Sequence, residues 1–107
     1  MNAGLSPALK HTIAPPAPIT IDVGPMPATQ TGGVGPYSYS WSFVAPSSTA
    51  PVAFLDPPGN SSQRVRFTNC SVGSFVQGVR VTITDSSSPA KQSTQDANAT
   101  AEHESLS

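Results

Sequence analysis

The chain has 107 residues and 11.0 kDa, of which 36% are hydrophobic and 10% charged, with 12 prolines, 8 glycines and a formal net charge of -1. Average globular domains carry about 25% charged residues, and helices tolerate proline and glycine poorly. A helical bundle and a doubly wound α/β fold are therefore excluded, and the clustered ionisable groups that most enzymes need are scarce, which leaves one small turn-rich all-β domain or a disordered chain.

Residues 1–17 carry Pro15 and Pro16 and lead into Pro18, so they are expected to form an extended Pro-rich arm outside the domain. Leu5, Leu9 and Ile13 stand four apart, a spacing that also suits a helix face, but a helix there would be short and marginal alone. Ile19–Val23 alternates apolar and polar residues, the pattern of a half-buried strand, and Gly24-Pro25 is expected to end it. Residues 28–31 form a weaker strand candidate before the turn Gly32-Gly33-Val34-Gly35-Pro36. Then comes the strongest segment, in which Tyr37, Tyr39, Trp41 and Phe43 occupy every second position with serines between them. These four are expected to face the core, with Trp41 near its centre.

Residues 45–62 read as loop, interrupted by Pro46, Pro51, Pro57, Pro58 and Gly59, with a short edge strand at 52–55. The stretch 63–68 alternates, placing Val65 and Phe67 inward and Arg64 and Arg66 outward. Residues 76–84 repeat the pattern with Val79, Val81 and Ile83 inward and Arg80 outward. After a turn at 85–89, residues 94–101 form a weak strand offering only Ala97, Ala99 and Ala101 to the interior. Residues 102–107 read as a polar C-terminal tail. The expected organisation is thus an arm over 1–17, an all-β sandwich of about seven strands over 18–101, and a tail over 102–107.

The run Gly32-Gly33-Val34-Gly35-Pro36-Tyr37-Ser38-Tyr39-Ser40-Trp41 resembles the strand B-to-C corner of PKD-like, immunoglobulin-like domains. Residues 79–86 are similar to strand F of that family, and 94–101 stand where strand G would be, so the resemblance covers residues 19–101. Short proteins of this kind are familiar among structural proteins of tailed bacteriophages. In place of the Asp-Phe-Gly-Asp-Gly that usually follows the tryptophan in cellular PKD domains, this chain has Ser42-Phe43-Val44-Ala45-Pro46, a departure towards the phage-like branch. The resemblance implies a non-enzymatic accessory or decoration protein of a capsid or tail. Its partners would be other virion proteins, including copies of itself in a symmetric assembly. The alternative reading is an adhesion or carbohydrate-binding module that meets a host-surface glycan or protein.

The remaining residues offer little chemistry. His11 and His103 lie in opposite terminal segments without ligand spacing, and His103 between Glu102 and Glu104 reads as part of a solvated tail. Cys70 has no partner for an internal disulfide and reads as a buried thiol. The Gly-rich run is followed by a strand and not by a helix N-terminus, so it reads as a turn and not as a phosphate cradle. Asp56 and Asp85 lack neighbouring carboxylates for calcium, and Asp85 before three serines suits an Asx-turn. No catalytic, cofactor or metal residue is assigned. Leu5, Leu9, Ile13, Arg64, Arg66 and Arg80 are the candidates for partner contacts, and nucleic acid and membrane are not expected partners. The chain opens on Met1 without a signal-peptide pattern, so it is expected to be complete as written, made in a bacterial cytoplasm and to act in the virion.

Overall fold

The computed structural model describes residues 1–106. Among them there is no helix, and eight strands form two four-stranded sheets. The strands are β1 (Asn2–Leu5), β2 (Ala8–Ala14), β3 (Ile19–Thr31), β4 (Ser38–Val44), β5 (Val52–Phe54), β6 (Ser62–Cys70), β7 (Gly73–Thr84) and β8 (Gln92–Ser105). One sheet has the order β1-β3-β6-β5 and the other β2-β8-β7-β4, and they pack face to face as a β-sandwich.

The arm is corrected. Residues 1–17 hold two strands that belong to both sheets: β1 pairs antiparallel with β3, and β2 pairs parallel with β8. Pro7 stands between them, where the chain crosses from one sheet to the other and needs no ladder hydrogen bond. The polar tail is corrected as well, because β8 runs on to Ser105 and His103 is 2% exposed. Gly24-Pro25 does not end the first predicted strand. The segments around 19–23 and 28–31 are one strand, β3, with a register shift between Val23 and Met26 that takes up the proline as a bulge.

The sheets meet over a continuous core that includes Ile21, Val23, Met26, Val65, Phe67, Cys70, Val79, Ala99 and Ala101. Val81 and Ile83 are equally buried further along β7. Where β8 contributes alanines inward, the bulk of the core comes from Phe67 and Met26 of the opposite sheet. The aromatic row of β4 is placed differently from the expectation. Tyr37, just before β4, and Tyr39, Trp41 and Phe43 within it are half-buried, because β4 is an edge strand of its sheet and its inward face overlies the rim of the core. Trp41 is therefore not central. With Phe43 it packs on Phe54 of the opposite edge strand β5, with ring centroids 4.0 Å apart for Phe43–Phe54 and 6.4 Å for Trp41–Phe54. The indole Nε1 donates to the carbonyl of Asn60 at 2.8 Å. These rings close one flank of the sandwich.

The body is long, 57 × 21 × 18 Å with a radius of gyration of 15.6 Å, against about 13 Å for an average domain of this length. Its accessible surface of 5728 Å² nevertheless lies near the roughly 5,600 Å² expected from its mass. Four buried polar side chains tie loops to the strands. Gln63 donates to the carbonyls of Asp56 and Pro57 and accepts from the Asp56 amide, holding the β5–β6 loop. Gln77 accepts from the Ser48 amide and donates to the Val44 and Gly78 carbonyls, holding the β4–β5 loop. Asp85 and His103 do the same at the two ends of the body.

Candidate functional site

The outer faces carry the arginines singled out in the sequence, and each is engaged within the chain. Arg66 stands directly across from Asp22 in the β3–β6 ladder and grips both carboxylate oxygens, at 2.8 and 3.1 Å. Arg80 does the same to Asp96 across the β7–β8 ladder, again at 2.8 and 3.1 Å. Arg64 holds Asp56 on the β5–β6 loop at 2.9 and 3.3 Å. The guanidinium hydrogen bonds hold all three carboxyls below the usual carboxylate range. The three arginines, Asp22 and Asp96 are each nearly half-exposed and only Asp56 is more covered, so the pairs contribute little to stability, but they remove the arginines as a free cationic patch for an acidic partner.

The Gly-rich turn is occupied by the protein itself. Gly32 and Gly33 both take φ of +76°, and the Val34 amide donates to Asp85 Oδ2 at 3.3 Å. Asp85 also accepts from the Ser87 hydroxyl at 2.6 Å and the Lys91 amide at 2.8 Å. The Ser87 hydroxyl, first, and these amides lower its carboxyl to about 2. An anion at this turn would meet a carboxylate, and a calcium ion would have to displace amide donors. Asp85 therefore joins the β3–β4 and β7–β8 turns at one end of the body. At the other end, the His103 ring lies within 3.1 Å of the Cys70 carbonyl through Nδ1 and within 3.1 Å of the Pro15 carbonyl through Nε2. Cys70 is buried, and burial pushes its thiol up, which favours the unreactive form. Among the described residues no three His, Cys, Asp or Glu side chains gather as a metal site would require.

A shallow crevice of about 360 Å³, open to solvent, lies between Leu5 and Pro7 on one side and Asp96, Ala97 and Asn98 of β8 on the other. Its one charged group, Asp96, is already bound to Arg80.

The three aliphatic candidates separate. Leu5 packs against the core, whereas Leu9 and Ile13 are 61% and 56% exposed on the outer face of β2. Leu106, not singled out in the sequence, is 59% exposed and donates its amide to the Ala14 carbonyl at 2.8 Å, beside Ile13. His11 stands between Leu9 and Ile13, with Nδ1 3.3 Å from Glu102 and Nε2 3.9 Å from Glu104 of β8. Among the described residues, three of the five exposed large aliphatic side chains thus gather along one sheet edge. This edge is the candidate site.

No family model and no curated protein matches the chain. A solved structure of a nucleoside hydrolase-related hypothetical protein from Saccharophagus degradans, associated with carbohydrate metabolism, matches with a TM-score of 0.57 and 15% identity. The match covers 88% of this chain and 22% of that one, so this chain spans about a fifth of the length of that protein. At this identity the likeness concerns the sandwich fold alone.

Proposed function

We propose that the chain is a non-enzymatic structural module of immunoglobulin-like, PKD-like fold that serves as an accessory or decoration protein of a tailed-phage virion through protein–protein contacts. The strand order supports the fold reading. Seven-stranded immunoglobulin-like sandwiches set strands A, B, E and D against C, F and G. The order β1-β3-β6-β5 against β2-β8-β7-β4 corresponds to that arrangement with the first strand divided between the sheets. The Gly32–Trp41 corner falls on the B-to-C connection of the same scheme.

The observation that carries the functional reading is the surface itself. Its arginines are bound by aspartates of the same chain, while aliphatic side chains stand exposed along the β2 edge, a surface suited to a protein partner. The test is mass spectrometry of purified particles of the phage that encodes the chain, with copy number measured against the major capsid protein. Hundreds of copies would mean head decoration and a few copies neck or tail; absence from particles would overturn the virion role. A second reading is an adhesion or carbohydrate-binding module on a virion or bacterial surface. Glycan-array binding by the isolated protein together with absence from particles would favour it.

A further inference from the structure

We infer that the β2 edge pairs with the β2 edge of a second copy, forming an antiparallel, two-fold seam centred on His11 that joins two four-stranded sheets into one of eight. The sandwich has four edge strands. β1 and β5 are four and three residues long, and β4 turns the serines Ser38, Ser40 and Ser42 outward. Only β2 combines seven residues in regular register with exposed aliphatic side chains. Natural edge strands are usually blunted by shortness, bulges, proline or charge; this one carries a single lysine, Lys10, and its flanking prolines, Pro7 and Pro15, leave the backbone from Ala8 to Ala14 unbroken.

The direction of the free backbone groups fits a second copy. The Ala14 carbonyl accepts from Leu106 across the parallel ladder, so Ala14 and the residues in phase with it, Ala8, Lys10 and Thr12, turn their backbone groups to β8. Alternation then directs the N–H and C=O groups of Leu9, His11 and Ile13 away from β8, to the open side. An antiparallel pair centred on His11 sets each Leu9 opposite the Ile13 of the second copy. Each of these residues exchanges both backbone hydrogen bonds with the residue it faces. The same operation is its own inverse, as an isologous dimer requires.

Side chains and charge agree with this register. Leu9 meets Ile13 twice, with Leu106 alongside on the same face, so the exposed aliphatics of the edge cover one another. Lys10 meets Thr12, so no lysines face each other. The two His11 rings meet at the axis, each flanked by Glu102 and Glu104 of its own chain. The strand is about 23 Å long, so the seam is a short one of seven facing residue pairs. The dimer is therefore a weak one that a symmetric assembly would multiply.

Sedimentation velocity of the full chain from about 10 µM to about 1 mM tests the association, a range that reaches dissociation constants from micromolar to millimolar. A reversible monomer–dimer equilibrium is expected, and the double variant Leu9→Lys/Ile13→Lys should stay monomeric with an unchanged thermal transition. The register has its own test. In a hydrogen-bonded antiparallel pair the facing Cα atoms are about 5.5 Å apart, within disulfide range, so His11→Cys should form a covalent dimer on mild oxidation. Leu9→Cys should not, because its two copies lie more than about 12 Å apart along the seam. Cys70 is buried and does not compete.

A monomer at every concentration would overturn the seam. So would a dimer that survives the lysine substitutions, or equal cross-linking of the two cysteine variants. If the lysine variant loses its fold, the cysteine comparison decides. The virion role is judged separately, since absence from particles leaves the seam intact and a monomer in solution leaves particle association intact.

Discussion

Phe67 and Trp41 occupy comparable places in the strand alternation and opposite places in the packing. Phe67 is fully enclosed between the sheets, whereas Trp41 leans on Phe54 at the flank with its indole N–H bonded to a loop. Phe67→Ala should cost about 3–5 kcal/mol in urea unfolding, the range for emptying a phenylalanine site that cannot collapse. Trp41→Ala should cost less despite removing the larger ring; an equal or larger loss would mean that the flank carries the core. Asp85 gives a pH prediction of definite sign. Its folded carboxyl titrates near 2, below its ordinary value of 3.8, so it contributes stability above about pH 4 that disappears as pH falls through 2. The melting temperature should fall across that window in the native chain, and Asp85→Asn should melt lower at neutral pH with a flatter acid limb.

Among the elements, the sharpest constraint lies where β4 leaves β7. Gly78 is buried under the chain at Val44–Ala45, and a Cβ there would stand 2.6 Å from the Val44 carbonyl oxygen and closer still to that of Ala45. Gly78→Ala should push β4 off its ladder and cost about 1–3 kcal/mol by denaturant unfolding, as overpacking does. The strands β6 and β7 were legible in the sequence because their side chains alternate cleanly between a buried and a wet face. Gln63, Gln77 and His103 sit in phase with inward neighbours, and that phase was the available sign of their burial; polarity alone hid it. The strands β1 and β2 were not legible. Their partners lie in β3 and at the far end of β8, and no local pattern encodes a parallel pairing across some 90 residues. The four-residue spacing of Leu9 and Ile13 is also an even number, so it puts both on one strand face as readily as on one helix face. Arg64, Arg66 and Arg80 were legible as outward residues, but their aspartate partners follow from register, which alternation leaves open.

At the scale of the whole molecule, the first strand pair makes the two sheets one body. β1 completes the edge beside β3, β2 completes the edge beside β8, and Pro15 caps the His103 ring. Removing residues 1–17 would uncover the inner alanines of β8, the β3 edge and the His103 ring together. The truncated chain should lose its cooperative thermal transition and aggregate on size-exclusion chromatography. A folded, monomeric product with a sharp transition would instead restore these residues to the status of a detachable arm.

Met1 lies against Gly33 at one tip of the body, while Leu106 lies beside Ala14 at the other. Tension applied between the two chain ends would run lengthwise through β2 and β8, which point the same way. Their ladder would be sheared as a block, all rungs sharing the load, where a hairpin pulled from one end would unzip a rung at a time. A body joined to its neighbours at opposite tips would in that way be mechanically stiff along its long axis.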